Sequence, residues 1–216
     1  MSTSEPLRPL AGARFALVAH GVPHGPPAGG VKKHLVRQGA DVRCVFHPLG
    51  PEEQGRHVLE HWCDGVGRRR VVRLPSRPPL TYPLDLLFPF PRDPFDVWIG
   101  FDSLSTARGL LRRRRGLVSR VVHWAVDFVP DRFGPGSPLT RAYDTLDRWC
   151  CRSVDLRVEV SRVALEARDA RLGLDARVPA LPVPIGLWAG EGPQVPADAH
   201  ARRRAVFVGH LVERMG

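Results

Sequence analysis

The 216-residue chain holds only two lysines, Lys32 and Lys33, beside 30 arginines, so its formal charge of +10 is almost wholly guanidinium. Such a one-sided choice of cation is better explained by GC-rich coding than by a polyanionic partner. Zinc knuckles, RNP-like aromatics and an obvious helix-turn-helix are all missing, and the expectation is that the chain binds no nucleic acid. No apolar run approaches the roughly 18 residues that a membrane span requires. The N-terminus also lacks a continuous apolar core behind basic residues, as a secretory signal would have. These absences point to a cytoplasmic chain. Cysteine is scarce too: Cys44, Cys63, Cys150 and Cys151 show no CxxC spacing, so buried free thiols are expected rather than metal or redox use.

What is present describes a folded protein. Hydrophobic residues make up 43% and charged residues 25% of the chain, ample for one core. The length fits one domain of ordinary size plus a remainder. The last twelve residues, Ala205-Val-Phe-Val-Gly-His-Leu-Val-Glu-Arg-Met-Gly216, read as a buried strand running into a glycine turn. A lone strand cannot bury both faces, so this segment reads as the opening of a second α/β unit. The expected organisation is a domain over residues 1–188, a Gly-, Pro-, Ala- and Arg-rich linker over 189–204, and the start of an incomplete second domain over 205–216.

Within the first domain, strand and helix signals alternate. Arg14 to His20 is a short apolar run, Gly21 to Gly30 a Gly/Pro loop, Val31 to Gln38 helical in spacing, and Asp41 to Phe46 a second strand, which together make a βαβ unit. A short helix is expected at Leu59 to Trp62 and a strand at Arg70 to Leu74. A proline-rich loop follows, with a helical turn at Leu84 to Phe88. Order returns with a strand at Asp96 to Gly100, a helix over Leu104 to Arg115 and a strand over Arg120 to Val126. A helix is expected from Pro138 to Cys151, a strand from Val154 to Val160, a helix from Arg162 to Leu172 capped by Ser161, and an extended segment from Pro179 to Pro184. The expected fold class is α/β, a Rossmann-like parallel sheet flanked by helices.

In such sheets ligands collect beyond the carboxyl ends of the strands, where crossover helices present their N-terminal amides. Four loops qualify. Gly21 to Gly30 ends in Gly29 and Gly30, which open a helix; it matches neither GxGxxG nor a P-loop, and a structural turn is the equal alternative. Asp102 and Ser103 follow a strand and precede a helix, so capping competes with ligand binding. His123 and Asp127 would share one face of an extended strand, as an acid-base or ligand pair or as a histidine satisfied by a neighbour. The fourth is the turn from Gly209 to Gly216.

That turn, apolar-apolar-Val-Gly followed by His-Leu-Val-Glu-Arg-Met-Gly, resembles the opening of the C-terminal domain in retaining glycosyltransferases of the GT-B class, family 4 type. Val183-Pro-Ile-Gly-Leu187 is similar to the family's interdomain Pro-x-Gly element. His123 to Phe133, Tyr143 to Cys151 and Val158 to Ser161 resemble the closing half of its N-terminal domain. The resemblance implies the N-terminal half of a GT-B fold, an acceptor-side domain of an enzyme that moves sugar from a nucleotide-sugar donor to a saccharide or lipid-linked acceptor, with no cofactor and no metal. It implies Gly29 and Gly30 beside the donor phosphates, His123 and Asp127 facing the reacting sugar, and donor contacts from Gly209, His210 and Arg214. The family places Arg and Lys where this chain has His210 and Met215, neither of which supplies a fixed positive charge. The chain by itself is expected to be inactive.

The competing reading is a non-catalytic α/β binding module or degenerate partner subunit. Arg112 to Arg115, four adjacent arginines at a helix end, read as a solvated terminus favourable to the helix dipole. If they are functional, the expected partner is the anionic inner face of a membrane.

Overall fold

The computed structural model describes residues 10–21, 25, 27–49, 55–74 and 82–186. They form an α/β fold with one eight-stranded, mostly parallel sheet flanked by helices, Rossmann-like in layout. The first strand, β1 (Arg14–His20), lies at its centre, paired in parallel with β2 (Asp41–His47) on one side and β5 (Phe95–Gly100) on the other. Its unbroken apolar run has a plain cause: both faces are covered. Phe15, Leu17 and Ala19 join a core under α1 (Ala28–Arg37), while Ala16 and Val18 join a second core with α2 (Ser103–Arg114) and α3 (Pro138–Ser153).

The chain leaves the centre in one direction and returns to grow in the other. After β2, the strands β3 (Arg56–Cys63) and β4 (Val66–Arg73) run antiparallel to their neighbours and complete one flank. The short helix expected at Leu59 to Trp62 is therefore a strand, and β4 begins four residues before the expected start. The overlooked signal is Asp64-Gly65, with φ of 51° and 75°, a two-residue hairpin turn of the sort that Asp-Gly favours between strands. On β4 the row Arg68, Arg69 and Arg70 is exposed. That much like charge opposes pairing of this edge with another chain.

A 3-10 helix, Tyr82–Leu87, covers the proline-rich passage back to β5. From there β6 (Val118–Ala125), β7 (Leu156–Glu159) and the three-residue β8 (Ala180–Pro182) add in parallel, with α2, α3 and α4 (Arg162–Leu172) as crossovers. Their starts follow local rules. Asp102, Ser137 and Ser161 each accept a backbone N–H in the first turn, Pro138 occupies the first turn of α3, and Gly173 at φ 57° ends α4.

Two further expectations need correction. Cys44, Cys150 and Cys151 are buried free thiols, but Cys63 is exposed. The arginines at the end of α2 are not a uniformly solvated terminus. Arg112 is buried among Phe90, Phe95 and Trp98 with Nη2 bonded to the Pro91 carbonyl, Arg113 pairs with Asp155 at 2.8 Å, and Arg114 lies over Trp149. No helix among the described residues is long and apolar enough to cross a membrane.

Candidate functional site

The strand order β4-β3-β2-β1-β5-β6-β7-β8 reverses direction between β1 and β5. At such a reversal the loops leaving adjacent strands diverge and open a crevice at the carboxyl edge. His20 ends β1, Asp102 follows β5, His123 lies near the end of β6 and Glu159 ends β7, so polar side chains from four strands reach one edge.

The first cluster centres on His20. Its Nδ1 is 2.9 Å from Asp102 Oδ2, its Nε2 is 3.1 Å from Asp85 Oδ2, and its backbone N–H donates to Asp102 Oδ2 at 3.2 Å. Asp102 also caps α2, Oδ1 accepting from Ser105 N at 2.8 Å and Oδ2 from Ser105 Oγ at 2.7 Å. Capping and site membership are thus one geometry, because a carboxylate has more acceptor sites than the cap uses. Burial favours neutral His20, but Asp102 and then Asp85 outweigh it and raise the pKa to about 10. Burial likewise raises the Asp102 carboxyl, yet charged His20 and the Ser105 bonds bring it well below the usual carboxylate range. The raised pKa favours the protonated ring, whose two nitrogens meet the Asp102 and Asp85 side chains.

The second cluster lies beneath β6, α3 and α4. His123 Nδ1 is 2.7 Å from Thr106 Oγ1, which donates to the Gly100 carbonyl at 3.3 Å. Its Nε2 stands 3.4 Å from Asp147 Oδ1, within charge-pairing range but without hydrogen-bond geometry. Asp147 accepts from Ser103 Oγ at 2.8 Å and from Arg168 Nη1, while Arg168 Nη2 donates to the Asp127 carbonyl at 2.7 Å. Arg168 Nε also lies 2.8 Å from Glu159 Oε1. Burial would neutralise His123, but Asp147 and Cys151 raise its pKa to about 10. Asp147 is lowered despite burial, by His123 and Arg168, and Tyr143 is raised to about 12, chiefly by burial. Charged groups removed from water persist only when paired in this way.

Between the clusters lies a pocket of about 290 Å³, lined mostly by apolar side chains such as Phe101, Leu104 and Leu146. His20, Asp102, Ser103, His123, Asp127 and Tyr143 are among its polar groups, together with Tyr82, Arg132 and Arg168. A mostly apolar cavity with a few convergent polar groups is the usual form of a small-molecule site.

Of the residues singled out in the sequence, His123, Asp127, Asp102 and Ser103 line this pocket. The expected geometry of His123 and Asp127 is overturned: β6 ends at Ala125, Asp127 lies in the following loop, and its carboxylate bonds Arg132 at 2.6 Å. The acid partner of His123 is Asp147 instead. Gly29 and Gly30 sit in the first turn of α1, Gly29 N bonding the Gly25 carbonyl at 2.9 Å, and do not line the pocket. Gly209, His210 and Arg214 lie outside the described residues, as do the linker and the second-domain segment.

Sequence reasoning missed His20, Asp85, Asp147 and Arg168. His20 carried a signal, a polar residue closing an apolar strand just before a glycine loop. Asp147 and Arg168 carried none, because each looks like one more charge on an amphipathic helix.

Among the described residues, two sets of side chains have the donors to hold a metal: His47, His57 and Asp85 at the ends of β2 and β3 and in the 3-10 helix, and His123, Asp147 and Cys151. No family model and no curated protein matches this chain.

Proposed function

We propose that the chain is the acceptor-side domain of a glycosyltransferase of the GT-B class, family 4 type, which holds a saccharide or lipid-linked acceptor against a nucleotide-sugar donor bound elsewhere. The observation that carries this reading is the pocket at the β1/β5 reversal. Its apolar walls suit the alkyl portion or ring faces of an acceptor, while Ser103 and Tyr143 offer hydrogen bonds to hydroxyl groups. His20 and His123, both held protonated, would orient and stabilise negative charge rather than abstract a proton. The exposed Arg114 and Arg115 at the end of α2 provide positive charge for a peripheral contact with an anionic membrane carrying such acceptors.

The test is binding and turnover by the 216-residue chain. Saturation-transfer NMR with an alkyl glucoside is expected to show contacts that Ala142→Trp, which fills the pocket, removes. Nucleotide sugars should show no turnover; detectable transfer by this chain would overturn the acceptor-only reading.

A second reading, a non-catalytic α/β binding module, is favoured by one feature. The ionisable groups facing the pocket are already paired within the protein: His20 with Asp102 and Asp85, His123 with Asp147, and Asp127 with Arg132. Binding of alkyl glucoside, with its loss in Ala142→Trp, supports the first reading; failure of any glycoside to bind leaves the second.

A further inference from the structure

We propose that His47, His57 and Asp85 form a binding site for one divalent transition metal, Zn²⁺ by the chemistry of its donors. His47 is the last residue of β2, and His57 stands opposite it where the register that pairs Phe46 with Val58 continues. Asp85 comes down on both from the 3-10 helix. Two imidazoles and a carboxylate are thereby brought to one point by three separate elements.

The distances are those of ligands around a shared ion. His47 Nδ1 and His57 Nδ1 are 2.9 Å apart, and Asp85 Oδ1 lies 3.6 Å from the first and 3.8 Å from the second. The two longer separations exceed a hydrogen bond, so the Asp85 oxygen is not placed there to accept from either ring. A triangle with these sides has a centre about 2.0 Å from each corner, and zinc bonds imidazole nitrogen and carboxylate oxygen at about 2.0–2.2 Å. An ion slightly out of the triangle's plane meets all three, with a fourth, open position for water or another donor. Two nitrogens and one oxygen suit zinc better than calcium or magnesium, which select oxygen.

The surroundings are those of a built site. His47 and His57 are buried, Phe88 stacks on His57 at 4.6 Å and meets His47 edge-on at 5.2 Å. The other carboxylate oxygen, Asp85 Oδ2, is held by His20 Nε2 at 3.1 Å, and His20 is held by Asp102. Such outer contacts fix the orientation of a ligating group. The remaining donor set is less suited. Both Asp147 oxygens already engage Ser103 or Arg168.

The experiment is titration of the chelator-treated, full chain with Co²⁺ and then Zn²⁺. The expected result is one Co²⁺ per chain with intense tetrahedral visible absorption, displaced by Zn²⁺, and a Zn²⁺-dependent rise in Tm. His57→Gln and Asp85→Asn should each weaken binding more than tenfold, while Cys151→Ser leaves it unchanged. X-ray absorption of the zinc-loaded wild-type chain is independent of how well any variant folds, and its first shell should contain nitrogen and oxygen only. Absence of stoichiometric binding, sulfur in the first shell, or loss of binding in Cys151→Ser with retention in His57→Gln would each overturn the assignment.

Discussion

Gly109 of α2 lies so close to Trp98 of β5 that a β-carbon on it would stand 2.3 Å from the indole Cδ1. The indole is fully buried and its Nε1 donates to the Ser105 carbonyl at 2.9 Å, so it has nowhere to retreat without breaking that bond. Gly109→Ala gains about 1 kcal/mol of helix propensity, against about 1–3 kcal/mol for forcing a packed core apart. A net loss of up to about 2 kcal/mol is expected, read as a lower urea midpoint at unchanged slope. Stability equal to or above wild type would show that α2 can lift off the sheet.

The Asp147 carboxylate is the shared counter-charge for His123 and Arg168. Asp147→Asn strands buried positive charge and should cost about 3–5 kcal/mol, the range for breaking a buried pair from one side. Chemical denaturation measures it. A cost under about 1 kcal/mol would mean that water reaches this cluster.

Asp102 has two duties that two substitutions separate. Asp102→Asn keeps an N-cap acceptor for Ser105 N but removes the charge facing His20. Asp102→Ala removes both and should lose about a further 1 kcal/mol. The His20 imidazole pKa, followed by NMR, should fall from its raised position in both variants. An unchanged titration would assign the raised value to Asp85 alone.

Stability should peak near pH 6.5. His20 and His123, with pKa values raised to about 10, contribute stability that is full below the ordinary value of 6.5 and lost as pH rises toward 10. His47 and His57 act in the opposite sense. Burial, with the neighbouring positive charge of His20, lowers both, so their contribution is present above 6.5 and lost as pH falls below it. Below about pH 4 the depressed Asp102 and Asp147 add to the acid loss. Each unmatched proton changes stability by about 1.4 kcal/mol per pH unit. Thermal melts from pH 4 to 10 test this, and a flat profile above pH 6.5 would contradict charged His20 and His123.

Much of the fold was readable because its causes are local. The run Phe-Ala-Leu-Val-Ala from Phe15 to Ala19, too short for a helix and followed by a Gly/Pro loop, fits a strand covered on both faces, and Ser161 with Gly173 brackets α4 by backbone chemistry that needs no distant partner. Where β3 was mistaken for a helix, alternation was weak: Leu59, His61 and Trp62 are only partly covered, so the period-2 signal blurred, although Asp64-Gly65 announced the turn.

Most of the alternation of strands and helices, the parallel centre and the loops at its carboxyl edge follow from local sequence, since apolar periodicity, caps and turn residues act over a few positions. Which side chains meet there was decided only by the tertiary structure. His123 turned from Asp127 to Asp147, and His47, His57 and Asp85 converged from three elements, because a buried charge takes whatever partner packing brings within reach, at any sequence separation.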